Sequence, residues 1–166
     1  MKYASIPSSL FTENRKKFVS ELISNSIAIF HSNDEMPRCG DQTFPFRQQS
    51  DLLWLSGIDQ EKTILVLAPE HPIAEYREIL FLRKTNEHIA VWEGHKYTKE
   101  EARAASGIQS IYWEEDFAAI LPVLMHHSQN VYLNLNENDR FATEVEYRDE
   151  RYGKALRAKY PDHSYH

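Results

Sequence analysis

The order of apolar segments predicts an α/β fold. One amphipathic helix comes first, short apolar strands follow, and helices and strands then alternate along the rest of the chain. A chain of 166 residues, 42% hydrophobic and 27% charged, has the size and composition of one soluble domain with its own core. We therefore expect residues 1–166 to form a single domain in which helices cover a sheet.

The first half of the chain supplies one helix and most of the predicted strands. Phe11, Phe18, Val19 and Leu22 fall on one side of the helix, which places Arg15, Lys16 and Lys17 on the solvated side. Residues 26–31 predict a strand, and the polar residues 32–41 predict a loop. Leu52–Leu55, which end at Gly57, predict a buried strand that forms a central hairpin with residues 63–68.

In the second half of the chain, predicted helices and strands alternate more regularly. Thr98 and Glu101 form a capping box that starts a helix, and Gly107 fits its end. The next helix contains Pro122, which is expected to kink it. A final helix runs from Phe141 to Pro161, and residues 163–166 are expected to be a tail. The predicted strands are residues 77–83, 88–92, 108–113 and 131–133.

Composition excludes several classes of function. A net charge of −6 argues against a nucleic-acid surface, which needs clustered Lys and Arg. No apolar run approaches the roughly 20 residues of a membrane span, and the N-terminus lacks the apolar core of a signal peptide. The single Cys39 cannot form an internal disulfide and fits a reducing compartment. We expect a cytoplasmic protein without a nucleic-acid or membrane partner.

Candidate chemical groups are scattered along the chain. The loop of residues 32–41 carries Asp34, Glu35 and Asp41 but no His, so solvated turn residues are favoured over a metal site. His126 and His127 are adjacent on a helix and point about 100° apart, which makes joint metal binding difficult. Cys39 would need a His and an Asn partner to act as a nucleophile. The residues alone predict no catalytic group and no metal ligand.

One segment carries a family resemblance. It closely resembles the signature of the N-terminal domain of the Xaa-Pro aminopeptidases (aminopeptidase P), which are relatives of prolidase and creatinase. The matching elements, in order, are Phe44-Pro45-Phe46-Arg47-Gln48, Ser50-Asp51, Leu52–Leu55, Gly57 and Thr63–Leu67. The resemblance continues to Val91-Trp92-Glu93-Gly94, which favours the aminopeptidase over prolidase. It covers most of the chain, from the first helix to about Leu135.

The resemblance implies a fold and two site residues. The fold is a mixed, mostly six-stranded sheet flanked by helices, of the ribonuclease-H-like kind found in creatinase and aminopeptidase P N-terminal domains. In tetrameric members the Trp that matches Trp92 reaches the substrate groove of a neighbouring subunit. An Asp that matches Asp41 lies near the substrate entrance. Trp92 and Asp41 are therefore candidate substrate contacts, and a homo-oligomer (dimer or tetramer) is expected.

The resembled enzymes cleave the bond before proline with a pair of divalent metals, usually manganese. Two Asp, one His and two Glu of a C-terminal "pita-bread" domain hold the pair, and that domain is missing from this sequence. The resemblance thus implies no catalytic residue, metal ligand or cofactor in this chain. We expect an inactive accessory domain that shapes substrate access and subunit contacts. Its partners would be the catalytic domain of its own parent enzyme and a proline-containing peptide. The ending inside a charged segment favours a piece cut from that enzyme.

Two other interpretations stay open. The chain could be a stand-alone, non-catalytic module that binds peptides or proteins. It could also be a nuclease, because ribonuclease-H-like folds carry Asp-dependent two-metal sites. Asp34, Asp41 and Asp51 would then be the candidate ligands, and the acidic balance of the chain argues against this alternative.

Overall fold

A computed structural model describes residues 6–84, 94–135 and 145–166. Its helices are α1 (Ser8–Ser20), α2 (Ser50–Ser56), α3 (Lys99–Ser106), α4 (Phe117–His126) and α5 (Arg148–Lys159). Its strands are β1 (Ser26–His31), β2 (Pro37–Cys39), β3 (Gln42–Thr43), β4 (Ile64–Leu67), β5 (Glu78–Leu82), β6 (Ser110–Trp113), β7 (Asn130–Leu133) and β8 (Ser164–Tyr165). Short 3-10 turns at Ala74–Tyr76 and Glu114–Asp116 precede β5 and α4.

Six strands form one mixed sheet in the order β6-β5-β4-β1-β7-β8. The pairs β1/β4 and β4/β5 are antiparallel, whereas β1/β7, β5/β6 and β7/β8 are parallel. The predicted mixed six-stranded sheet flanked by helices is therefore confirmed. The strands predicted near residues 26–31, 63–68, 77–83, 108–113 and 131–133 are present.

The sheet separates two hydrophobic cores. Alternate side chains of β1, β4 and β5 point to opposite faces, as the two-residue period of a strand requires. One face packs against α1, α2 and α3, and the other packs against α4 and α5. All residues of β1 and β4 are buried. This explains why residues 27–30 and Ile64–Leu67 are continuous apolar runs.

The predicted strand at Leu52–Leu55 is wrong, because these residues lie in helix α2. Leu52 and Leu55 are at most 1% exposed, whereas Leu53 and Trp54 are 38% and 46% exposed. This is the three-residue spacing of a half-buried helix. The left-handed Gly57 (φ 70°) ends it. The predicted hairpin with residues 63–68 is also wrong, since β4 pairs with β1 and β5.

The expected solvation of Arg15 is wrong as well. Arg15 is 1% exposed, and its Nη1 donates to Leu55 O at 2.8 Å and to Ser106 O at 3.0 Å. These carbonyls lie at the C-terminal ends of α2 and α3, which have few partners inside their own helices. Arg15 therefore joins α1 to the ends of both neighbouring helices.

The predicted helix ends around α3 are confirmed. The Thr98–Glu101 capping box is present, and Gly107 takes the left-handed conformation (φ 78°). Pro122 lies inside α4. No helix in the ranges that the structure describes is long and apolar enough to cross a membrane.

The C-terminal residues differ from the expected tail. Strand β8 extends the sheet beside β7, and His163 Nε2 lies 2.9 Å from Met125 O. In the loop predicted at residues 32–41, β2 pairs with β3 as an exposed ribbon. The strand predicted at residues 88–92, and the start of the final helix predicted at Phe141, lie outside the described residues.

Candidate functional site

Residues 44–49 lead directly into α2, and Gln49 caps that helix. Its Oε1 accepts hydrogen bonds from the backbone N–H groups of Asp51 at 2.6 Å and Leu52 at 2.9 Å. These amides have no partner within the helix, so the side chain replaces water at the first turn. Gln is not among the usual capping residues, which is why the sequence pattern does not indicate a helix start here.

Gln48 ties the same segment to the turn between α2 and β4. Its Nε2 donates to Ile58 O at 3.0 Å and to Gln60 O at 2.9 Å. The Thr63 hydroxyl also donates to Gln60 O, at 2.8 Å. The Gln of the family signature therefore holds the turn of residues 57–63 in place.

The turn of residues 57–63 also contacts the residues just before helix α3. The Gln60 side chain is buried, and its Oε1 accepts a hydrogen bond from the Tyr97 N–H at 2.7 Å. Next to it, Glu61 Oε1 lies 2.9 Å from Arg83 Nη1 and 2.6 Å from Lys96 Nζ. We call Glu61, Arg83 and Lys96 the Glu61 clamp.

The charges of the Glu61 clamp are largely shielded from water. The side chains of Glu61, Lys96 and Arg83 are 6%, 11% and 20% exposed. Burial by itself would raise the pKa of the Glu61 carboxyl, but hydrogen bonds from Lys96, the backbone and Arg83 outweigh it and lower the pKa. Glu61 is therefore ionised at neutral pH, and both cations have a charged partner.

A polar cleft of about 330 Å³ opens where β1 and β7 end and where α2 and α5 begin. Parallel neighbouring strands end at the same edge, which is where α/β folds commonly form ligand sites. Hydrogen-bonding side chains line most of it: Asn33, Gln48, Gln49, Ser50, Asp51 and Asn134 among them. The Asn134 Nδ2 is buried and makes no hydrogen bond to a described residue.

A buried His–Asp pair lies at the α5 side of this cleft. His31, 3% exposed, places Nδ1 3.1 Å from Asp149 Oδ1, and its ring lies 4.1 Å from that of Tyr152. Burial lowers the pKa of His31 more than Asp149 raises it. Burial also raises the pKa of the Tyr152 hydroxyl, which makes no hydrogen bond to a described residue. The pair joins the end of β1 to the first turn of α5.

A second cleft of about 210 Å³ adjoins the first and shares Asp51 and Asn134 with it. Aromatic and aliphatic side chains form its walls: Phe18, Phe30, Trp54, Leu55, Tyr132 and Leu133. An apolar cleft beside a polar one can hold a short peptide through one side chain and its backbone.

The two predicted substrate contacts are not brought together by the described residues. Asp41 lies in the exposed turn between β2 and β3. Trp92 and Glu93 lie outside the described residues, and so does the match of residues 91–93 to the family pattern. The roles of Trp92 and Asp41 therefore remain predictions.

The aspartates considered for a nuclease site lie apart. Asp34 pairs with Arg151 at 2.7 Å, and Asp51 accepts from Gln49 at 3.1 Å on the first turn of α2. Within residues 6–84, 94–135 and 145–166, no group of three or more His, Cys, Asp or Glu side chains is placed to hold a metal ion. His126, His127 and Cys39 are exposed, and His126 and His127 form the end of α4.

Sequence reasoning missed the Glu61 clamp and the His31–Asp149 pair. Glu61 and Arg83 are 22 positions apart, and His31 and Asp149 are 118 positions apart. No local spacing indicates contacts of this kind. Gln48 was singled out by the signature, but its partners depend on the turn of residues 57–63.

The family model for "Aminopeptidase P, N-terminal domain" matches residues 11–132. This range runs from α1 to β7, and it includes Gln48, the turn of residues 57–63 and the Glu61 clamp.

Two curated relatives are described as Xaa-Pro aminopeptidases. The chain is 28% identical to the Xaa-Pro aminopeptidase of Haemophilus influenzae over 129 residues. This match covers 78% of this chain and 30% of the relative. It is 23% identical to human Xaa-Pro aminopeptidase 3 over 134 residues. This match covers 80% of this chain and 26% of the relative. The chain thus spans less than a third of the length of these relatives.

Solved structures show the same fold. A candidate aminopeptidase P from Bacillus anthracis superposes with a TM-score of 0.86 at 24% identity, over 97% of this chain and 38% of that one. The Pseudomonas aeruginosa aminopeptidase PepP superposes with a TM-score of 0.75 at 24% identity, over 99% of this chain and 36% of that one.

Proposed function

This chain belongs to the family of aminopeptidase P N-terminal domains, and we propose that it is the accessory domain of a metal-dependent Xaa-Pro aminopeptidase. The parent enzyme would remove the N-terminal residue that precedes proline. The observation that carries the proposal is the family match over residues 11–132, together with relatives that are Xaa-Pro aminopeptidases.

The proposal places the chemistry outside this chain. The chain spans less than a third of the curated relatives, so a catalytic domain in the remaining part would hold the divalent metal pair, with manganese as the expected ion. Such a pair would activate water and polarise the scissile carbonyl. The described residues offer no group of three or more metal-binding side chains, and this chain alone is proposed to be inactive.

The role of this domain would be to shape substrate access and to form subunit contacts. Trp92 would offer an aromatic surface to a proline-containing peptide, and Asp41 would lie near the entrance. Asp41 is in an exposed ribbon that is free to meet another domain or subunit. Leu53 and Trp54 leave an apolar surface on α2 that fits burial in a dimer or tetramer. We propose a cytoplasmic location, which the single unpaired Cys39 fits.

The test is hydrolysis of Ala-Pro-Ala and Ala-Ala-Ala by the product of the complete gene, with manganese added. Release of alanine from the proline peptide, but not from the control peptide, is the expected result. Absence of hydrolysis with either peptide would contradict the proposal.

The second candidate is a non-catalytic module that binds peptides or proteins. The adjoining polar and apolar clefts favour it, because they could hold a peptide without any catalytic domain. Saturable binding of a proline-containing peptide by a gene product that does not cleave it would support this function.

A further inference from the structure

The apolar cleft beside α2 has the size of one side chain. Its volume is about 210 Å³, whereas sites for whole small molecules occupy roughly 300–1,000 Å³. An apolar cavity of about 150 Å³ is large enough to bind benzene. The cleft can therefore accept one aliphatic or aromatic side chain up to about the size of phenylalanine.

Aromatic rings form the walls of this cleft, and contacts with other rings hold several of them in place. Phe18 and Phe30 meet edge to face with ring centroids 5.3 Å apart, and the Tyr132 ring stacks on that of His166 at 5.2 Å. Trp54 is 46% exposed, although it lines the cleft. A side chain bound in the cleft would therefore bury aromatic surface that is now open to water.

A buried hydrogen-bond donor lies where the apolar cleft meets the polar one. Asn134 lines both clefts, and its Nδ2 is buried without a hydrogen bond to a described residue. A buried donor without an acceptor is destabilising, because the group has given up its hydrogen bonds to water. A carbonyl oxygen of a ligand would supply the missing acceptor.

A carboxylate lies beside this donor. Asp51 also lines both clefts, is exposed, and accepts a hydrogen bond from Gln49 Nε2 at 3.1 Å. Within the parts of the chain that the structure describes, no Lys, Arg or His lies within ion-pair distance of it. The other charged residues that line the clefts are Arg148, Asp149 and Glu150. The acidic excess favours a ligand with a positive charge.

The amino-terminal residue of a peptide carries a side chain, an ammonium group and a carbonyl group on neighbouring atoms. We propose that the apolar cleft binds this residue, with its side chain between the aromatic walls, its ammonium group on Asp51 and its carbonyl oxygen on Asn134 Nδ2. The ligands are thus peptides that begin with an aliphatic or aromatic residue. The inference rests on the second proposed function, peptide binding, and does not require a catalytic domain in the parent protein.

The first experiment measures peptide binding by isothermal titration calorimetry. It uses the 166-residue chain, whose own residues form the cores on both faces of the sheet. We expect Leu-Ala-Ala-amide to bind at least about tenfold more tightly than its N-acetylated form, which has lost the positive charge. Gly-Ala-Ala-amide should bind at least about fivefold more weakly than Leu-Ala-Ala-amide, because it leaves the cleft empty. Equal affinities for the free and acetylated peptides would overturn the inference.

The second experiment tests the contact between Asp51 and the ammonium group. We expect Asp51→Asn to weaken binding of Leu-Ala-Ala-amide about three- to tenfold and to leave the acetylated peptide within about twofold of its wild-type affinity. Asp59→Asn is the matched control, because Asp59 is exposed and lines neither cleft. Loss of affinity for both peptides by the same factor would overturn the assigned contact.

The third experiment tests the aromatic wall. Trp54→Ala should weaken binding of Leu-Ala-Ala-amide at least about fivefold, because it removes one side of the cleft. Leu53→Ala is the control, since Leu53 is 38% exposed on the same helix and does not line the cleft. We expect it to change the affinity by less than about twofold. Equal effects of the two substitutions would place the peptide elsewhere and overturn the inference.

Two further outcomes separate this inference from the functions proposed above. Saturable binding of an acetylated, proline-containing peptide, without preference for a free amino terminus, would overturn the inference and leave the peptide-binding function standing. Asp51-dependent binding that occurs in the 166-residue chain but not in the complete gene product would also overturn it, because the rest of the protein would then cover the cleft.

Discussion

Arg15 and Glu78 link helix α1 to strand β5 across 63 positions of sequence, with Arg15 Nε 2.6 Å from Glu78 Oε1. A second hydrogen bond runs from Nη2 to Oε2 at 3.2 Å. The remaining Arg15 donor, Nη1, serves the carbonyls of Leu55 and Ser106. One buried guanidinium therefore connects α1, α2, α3 and the sheet, and the planar arrangement of its donors suits this use.

Replacing Arg15 should destabilise the domain strongly. Arg15→Met would leave Glu78 and two buried carbonyls without their donor, at a cost of about 3 kcal/mol in the free energy of unfolding. Lys16→Met is the matched control, because Lys16 is 67% exposed and its ion pair with Glu13 is exposed as well. We expect it to change stability by less than about 0.5 kcal/mol. Urea denaturation measures the free energy of unfolding of both variants. Similar losses of stability in the two would contradict the role of Arg15.

Two glycines test how α2 packs on α1. At Gly57 (φ +70°) an added Cβ would lie within 2.7 Å of three atoms of the Phe11 ring, whereas at Gly40 (φ +57°) nothing lies within 4 Å. Gly40→Ala should therefore cost about 1 kcal/mol for the left-handed backbone alone. Gly57→Ala should cost about 2–4 kcal/mol, since the ring must also move. Equal losses in thermal denaturation would show that the Phe11 contact is unimportant.

The His31–Asp149 pair predicts a dependence of stability on pH. Burial lowers the pKa of His31 in the folded protein, so the unfolded chain takes up a proton first as the pH falls below about 6.5. The free energy of unfolding should therefore decrease from that pH down to the lowered folded-state pKa. His31→Gln removes this proton uptake, so the free energy of unfolding should change less with pH between pH 5 and 6.5 in the variant than in the wild type. Denaturant titrations at several pH values measure the free energy of unfolding of both proteins. The same dependence on pH in wild type and variant would contradict the prediction.

Much of the sheet was predictable because β1, β4 and β5 each contain a continuous run of four apolar residues between polar segments. Helix α2 was not, because four apolar residues are too few to distinguish a buried strand from a half-buried helix. Its start is capped by Gln49, an uncommon capping residue. Arg15 was missed because it stands beside exposed lysines, and its burial is explained by partners distant in sequence, Glu78 and the carbonyls of α2 and α3.

The candidate site was less predictable than the fold. The signature drew attention to Gln48, but its acceptors depend on how the turn of residues 57–63 folds back. Glu61 looks like an ordinary acidic turn residue in the sequence. Its importance follows only from the approach of Arg83 and Lys96, which the sheet and α3 bring together.

Trp92 should matter for peptide binding in the complete gene product. We expect Trp92→Ala to lower kcat/KM for an Xaa-Pro-Xaa tripeptide about tenfold, the loss of roughly 1.4 kcal/mol of contact with the ring. Trp54→Ala is the comparison variant, because Trp54 lines the apolar cleft that the second candidate function would use. A loss of peptide affinity with Trp54→Ala but not with Trp92→Ala would favour the binding-module function. Asp41→Asn should have a smaller effect than Trp92→Ala.

The most direct test of the accessory-domain assignment is manganese-dependent hydrolysis of an Xaa-Pro-Xaa tripeptide. The 166-residue chain and the product of the complete gene are assayed side by side at equal molar concentration. The assignment predicts hydrolysis by the complete gene product and none by the 166-residue chain. Hydrolysis by the 166-residue chain would contradict it, because the chemistry would then lie within these residues.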